Sequence, residues 1–436
     1  MKRHLLMLAL LASAANAHDD PVAHIDFREL CPENTVDCSA EFKQAVEDVN
    51  LEYEEGDKKG ELIYDYIYFK DGQYNIKTFE RLARGARLRQ VAIKGEKWNG
   101  PVIKTDKLDF SQILNASLSH IRIEGPEYKG DDEEKHIPNE LVRFGNNSVD
   151  SMDSLVIDHT IFRNSGEDLV NIVGVDNVKI TTSHFENAGY EDTRVNSNDP
   201  KDLRPNGNAI TMFNIDDANI QNVYFTKIRR VGIMAATDVH NLVVKSSTFN
   251  LKSPDNPTKL YGYQGGACFY QTDEANTNIT FENNECNDFK VNGVRLKGSS
   301  MKVVDNHFNH KRGEECDISN YTPLQYNPGI KAHIAGPASY ITGNCIHQAS
   351  DGILLQPNSF RSINGLSVTD NTIVNSGSAI VNAGTGIKVA PYSAGGTYCG
   401  LDISNNYFIN SGVSPVLVED DGDSCFNNIE QPVFPL

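Results

Sequence analysis

The chain has one tryptophan in 436 residues, against 17 tyrosines and 19 phenylalanines. Basic residues are also short: 40 Lys and Arg face 59 Asp and Glu, a formal charge of −19. That balance excludes the basic surface with which a general nucleic-acid binder neutralises phosphate. No apolar run reaches bilayer-spanning length, so no membrane insertion by a helix is expected. No Cys-x-x-Cys occurs, and no His–Cys spacing of the zinc-finger type replaces it, so zinc is not expected. Disorder is excluded too, because 39% hydrophobic residues can build a core. On the usual prior of roughly 150 residues per domain, the length alone allows about three domains.

What is present begins with an export signal. A basic start with Lys2 and Arg3 precedes the apolar run Leu5–Ala12, and Ala15-Asn16-Ala17 fits small-x-small cleavage. The reading is a signal peptide over 1–17 and a secreted or periplasmic mature chain from His18. All eight cysteines follow it (31, 38, 268, 286, 316, 345, 399 and 425), an even count that suits disulfides in an oxidising compartment. Cys31 and Cys38 are close enough to staple a short loop. The remaining connectivity is open.

A repeat sets the architecture. Strand-like octets with alternating apolar residues recur as LVIDHTIF (155–162), VKITTSHF (178–185), ANIQNVYF (218–225) and LVVKSSTF (242–249). ITFENNEC (279–286), MKVVDNHF (301–308), YITGNCI (340–346), LSVTDNTI (366–373) and LDISNNYF (401–408) follow. Their ends are 23, 40, 24, 37, 22, 38, 27 and 35 residues apart, a unit of about 23 with inserted loops. Short strands at this period predict an all-β solenoid, a right-handed parallel β-helix, in one domain over 18–436. Asn164, Asn187, Asn250, Asn287, Asn309, Asn375 and Asn410 flank the octets and suit turns. Ser39 reads as the N-cap of a short helix with Phe42, Ala45 and Val46 on one face, a cap for the solenoid's open end. The cap and first strands (66–76, 89–95) fill 18–95, the rungs 96–410, and a second cap 411–436.

The helix-then-strand entry and the nine octets resemble the pectate-lyase-like β-helix superfamily. That resemblance implies a secreted enzyme acting on polysaccharide along one parallel sheet.

A second strand precedes each octet: AITMFN (209–214), GIMAAT (232–237), GACFYQ (266–271), GVRLKG (293–298), GIKAHI (329–334), GILLQP (352–357) and GIKVAP (386–391). Aligned on the turn glycine, they point Ile210, Ile233, Ala267, Val294, Ile330, Ile353 and Ile387 inward. The first outward column is then Thr211, Met234, Cys268, Arg295, Lys331, Leu354 and Lys388. The second is Phe213, Ala236, Tyr270, Lys297, His333, Gln356 and Ala390. Tyr270, Arg295, Lys297, Lys331 and His333 thereby form one patch, with Lys388 and Gln356 beside it. Stacked like charges destabilise a sheet, and an acidic substrate relieves them. Inserted loops at 189–205, 251–264 and 311–327 precede these strands, and Tyr261, Tyr263 and Tyr326 in them suit stacking on sugar rings.

These residue types fit β-elimination on a uronate polysaccharide. Arg295 would neutralise the carboxylate. Lys297 or Lys331 would take the C5 proton, with a pKa lowered by neighbouring charge. Tyr270 or His333 would protonate the leaving oxygen. Asn292–Lys297 is similar to the Gly-x-Arg-Ile-Lys element of polygalacturonases, which implies a glycoside hydrolase with paired carboxylates as the alternative. Asp216-Asp217 is an acidic pair but reads as a turn. A third reading is a non-catalytic glycan-binding β-helix. No cofactor is required by the pattern. Calcium is an alternative at Asp238, Asp273 and Glu274, an incomplete ligand set. His120, His159, His184, His307, His310 and His347 are scattered and read as structural.

Overall fold

A computed structural model describes residues 24–32, 35–55, 66–79, 88–126, 140–146, 152–189, 207–251, 266–289, 291–316, 328–334, 336, 338–347, 349–357, 363–374, 385–390, 398–409, 414–419 and 425–430. The export signal, the tyrosines 261, 263 and 326, and most of the three inserted loops lie outside the described residues.

Each coil supplies three short strands. One coil runs through Val231–Val239, Leu242–Lys245 and Thr248–Asn250, the next through Ala267–Gln271, Thr277–Glu282 and Glu285–Asn287. Every strand pairs in parallel with its counterpart one coil on. Among the described residues, 25 strands join into one sheet and 12 into a second. The larger sheet is two strips that meet at a corner, because Asp168–Thr181 and Asn208–Gln221 run through both. The chain is a parallel β-helix, as the repeat predicts.

The octet ends form one unbroken column. Phe162, Phe185, Phe225, Phe249, Cys286, Phe308, Ile346, Ile373 and Phe408 are register partners in sequence. The first four rings stack at centroid distances of 5.0, 5.3 and 4.4 Å. Five of the large ends face a glycine across the coil. A Cβ on Gly232 would lie 2.6 Å from the Phe249 ring, and one on Gly293 would lie 2.5 Å from the Phe308 ring. Gly329, Gly352 and Gly386 face Ile346, Ile373 and Phe408 in the same way. The coil ending in Cys286 has no large octet end, and there the small position is Cys268, disulfide-bonded to Cys286 across the coil.

That substitution corrects the sequence alignment. Phe269, not Ala267, is the register partner of Ile233 and Val294, so the 266–271 strand sits two residues from where its glycine suggested. Cys268 is fully buried rather than outward. The other inward residues, Ile210, Ile233, Val294, Ile330, Ile353 and Ile387, stand in one buried column as expected.

A second internal column consists of polar residues. Asn284, Asn306, Asn344 and Asn371 are buried, and each passes a side-chain hydrogen bond to the next, ending on Asn406. Each also caps a backbone carbonyl, for example Asn306 Nδ2 to Phe281 O at 2.8 Å. This ladder satisfies the backbone at a corner where the sheet cannot. It occupies the residue two before each octet end, a position distinct from the flanking asparagines. Of those, Asn164, Asn187 and Asn309 do adopt left-handed φ values of 60°, 67° and 50°.

The N-terminal helix spans Ser39–Glu55, with Phe42, Ala45, Val46 and Val49 buried against the first coils. Its cap comes from Asp37, whose carboxylate accepts from the Ser39 N–H and hydroxyl at 3.0 and 2.6 Å, so Ser39 begins the helix rather than capping it. The Cys31–Cys38 disulfide is formed as expected, and Cys316–Cys345 adds a third to it and Cys268–Cys286. At the other end, strands Ser414–Val418 and Cys425–Ile429 pair with Thr385–Val389 and Tyr398–Ser404, so sheet continues past residue 410.

Replacing Asn306 by Ala strands buried groups on both neighbouring coils. The expected loss is about 2–3 kcal/mol, read as a lower midpoint in urea unfolding, whereas Asn250→Ala on the surface changes it by less than about 0.5 kcal/mol. Equal midpoints for the two variants would remove the ladder from this account.

Candidate functional site

With the register corrected, the outer face of the strip reads differently. Thr211, Met234, Tyr270, Arg295, Lys331, Leu354 and Lys388 are consecutive register partners. Tyr270 therefore belongs to the same column as Arg295 and Lys331. The Arg295 guanidinium carbon lies 4.6 Å from the centre of the Tyr270 ring, a cation–π contact. The Arg295 Nε is buried with no hydrogen-bond partner among the described residues.

The second outward column is not continuous. A bulge falls between Leu296 and Lys297: Leu296 faces Ala332, Lys297 faces Ile334, and His333 is the extra residue. Another bulge sets Phe213 opposite Thr237 and leaves Ala236 unpaired. A bulge re-aims one side chain, and here it turns His333 toward the cations. His333 is 9% exposed, and its Nδ1 lies 3.0 Å from the Gln356 carbonyl. A carbonyl only accepts, so Nδ1 carries the proton and Nε2 keeps its lone pair.

The electrostatics follow from burial and crowding. Burial, then Arg295 and Lys331, push His333 down to about 3, while the bond to Gln356 acts in the opposite direction. Burial, then Arg295, lower Lys331, and Asp351 opposes them. Burial also lowers Arg295. Among the described residues no salt bridge reaches Arg295 or Lys331. The remaining cations are occupied: Lys297 Nζ donates to the Thr272 carbonyl at 2.9 Å and lies 4.0 Å from Glu274, and Lys388 pairs with Glu419 at 3.0 Å. Gln356 is half-buried, and its N–H donates to Ala332 O.

The three acids weighed for calcium do other work or stand apart. Asp273 accepts from the Ala275 N–H at 3.0 Å, which with its other bonds holds its carboxyl below the ordinary range. Glu274 faces Lys297, and Asp238 is exposed at a left-handed turn with φ 51°. Grouped metal-ligating side chains among the described residues lie elsewhere, around His307, His310 and His347.

One feature of this face was not read from the sequence. Asp168 is half-buried, accepts from Thr211 Oγ1 at 2.7 Å and the Asn208 N–H at 2.8 Å, and desolvation raises its carboxyl. Its register partner is Glu140, which pairs with Lys107 at 2.6 Å. The signal was weak, because Glu140 stands alone and Glu167-Asp168 matches no motif.

No protein-family model matches this chain, and no curated protein does. Solved structures do. The A-module of the mannuronan C-5 epimerase AlgE4 from Azotobacter vinelandii is 14% identical, covers 93% of this chain and 100% of its own, with a TM-score of 0.44. The catalytic unit of a GH87 α-1,3-glucanase from Streptomyces thermodiastaticus is 12% identical, over 94% of this chain and 68% of its own, with a TM-score of 0.44. A mannuronic acid specific family 6 polysaccharide lyase from human gut microbiota is 11% identical, over 78% and 76%, with a TM-score of 0.41. The two parallel sheets are those of a parallel β-helix.

The pH dependence of stability follows from His333. Its folded pKa lies below the unfolded value of about 6.5, so between about 6.5 and about 3 the unfolded chain binds more protons. Stability therefore falls as pH drops through that window. Thermal melts of His333→Gln should lose less on acidification than the parent. Parallel curves for the two proteins would mean that His333 is not held neutral.

Proposed function

We propose that this protein cleaves an acidic, uronate-containing polysaccharide by β-elimination on the outer face of the strip. One observation carries the reading: Arg295 and Lys331 stand side by side, half-buried and without salt bridges among the described residues, on a chain of charge −19. A substrate carboxylate supplies the missing partner. Arg295 binds it and stabilises the negative charge that develops there as C5 loses its proton. Lys331, with its lowered pKa, is the base that takes that proton. The electron pair forms the C4–C5 double bond and expels the C4 oxygen, which Tyr270 protonates. His333 stays neutral beside the base, positioning it without adding charge. Export of the chain follows from the N-terminal signal and accords with the disulfides.

Pectate, alginate and glycosaminoglycans, with neutral glycans as controls, test the reading when monitored for both unsaturated-uronate absorbance and new reducing ends. The expected result is both signals from an acidic glycan. Reducing ends without absorbance would replace the lyase with a hydrolase, and binding without either signal would leave a glycan-binding protein. Arg295→Ala should lower kcat/KM by about 10²–10³-fold with the fold intact by circular dichroism. The ascending limb of the parent's pH profile, along which Lys331 loses its proton, should have its midpoint below the ordinary lysine value of about 10.4 and vanish in Lys331→Ala. Full activity in either variant would sink the assignment.

A further inference from the structure

The short sheet carries a second chemical cluster, on a different face from Arg295. In strand Cys345–His347, Ile346 enters the core column, so Cys345 and His347 point outward. Both are nonetheless buried, at 4% and 0% exposure. Cys316 is bonded to Cys345 from above. His307 is the register partner of Cys345, and His310 stacks between His307 and His347 at centroid distances of 5.5 and 4.5 Å.

The donor atoms form two groups of three that share Cys345. Those of Cys316, Cys345 and His347 lie within 4.8 Å of one another, as do those of His307, His310 and Cys345. Cys316 Sγ is 3.8 Å from His347 Nε2, and His307 Nδ1 is 3.3 Å from His310 Nδ1. Tetrahedral zinc, with Zn–S near 2.3 Å and Zn–N near 2.0 Å, separates its donors by about 3.5 Å. A pocket of about 370 Å³ lined by His310 with Glu285, Asp288 and Glu314 opens beside the cluster and offers a cation an acidic path inward. The spacing was invisible in the sequence because two successive coils and the loop between them supply it.

We propose that Cys316, Cys345, His347 and His310 form a zinc site that exists only when the Cys316–Cys345 disulfide is reduced. In the oxidised protein the sulfur pairs are committed to each other. A two-electron reductant, a dithiol or a phosphine, breaks the S–S bond, and the two sulfurs take up two protons. Zinc then displaces both protons and binds the two thiolates with two neutral imidazoles. His307 backs His310. The metal replaces the cross-link, so the segment ending at Cys316 stays docked in either state.

Cobalt(II) serves as the probe, with the full-length protein handled anaerobically. After phosphine reduction, one tight equivalent should give the intense visible bands of tetrahedral thiolate–imidazole coordination, and zinc should displace it. The oxidised protein should show no such bands. Reduced Cys316→Ser keeps the other cysteines and should lose them, while His347→Asn and His310→Asn should each weaken binding at least tenfold. If Cys316→Ser misfolds by circular dichroism, the two histidine variants decide. Absence of the bands in reduced protein, their presence in oxidised protein, or their survival in Cys316→Ser or both histidine variants would each overturn the proposal.

Discussion

In five of the coils, a glycine must face a large residue across the coil. A parallel β-helix has a narrow cross-section, and its interior is packed at crystal-like density. Opposite Phe249, Phe308, Ile346, Ile373 and Phe408 the column of octet ends leaves room only for glycine, at Gly232, Gly293, Gly329, Gly352 and Gly386, whereas Leu141, Leu169 and Ala209 hold that register position in the earlier coils. Where the column drops to Cys286, a disulfide to Cys268 fills the space. This pairing fixes the phase of the strands that carry it, and a strand's phase decides which side chains face water.

The site is a consequence of that phase. Once Phe269 takes the inward position, Tyr270 stands over Arg295, and Arg295 beside Lys331. The asparagine ladder holds the coils in the same stack from the opposite corner, by bonds that reach from each coil to the next. Packing and buried hydrogen bonds thus hold two like charges in adjacent strands, a placement that costs energy on its own. Such unrelieved repulsion at a surface reads as a site waiting for an anion.

Much of this was legible in the residues. The octets gave the fold and the order of the core column, because a large apolar end recurs at fixed phase in each coil. The inward isoleucines were legible for the same reason. The alignment failed at 266–271, where Gly266 mimics the facing glycine and the true small residue is Cys268. Pairing Cys268 with the one octet that ends in cysteine would have set it right. The bulge that turns His333 toward the cations left no mark in the sequence, since an extra residue in a strand looks like any other. The His–Cys cluster was hidden differently, by contributions from two coils and the loop between them.

The account stands on the claim that the exposed column answers a carboxylate, so the carboxylate itself is the variable to change. Calorimetric binding of a uronate polysaccharide can be compared with that of the same polymer after chemical reduction of its carboxyl groups. The linkages and ring shapes are retained while the charge is lost. Tight, salt-sensitive binding of the native polymer and none of the reduced one is the predicted result. Equal binding of both would contradict the claim that Arg295 and Lys331 define the site.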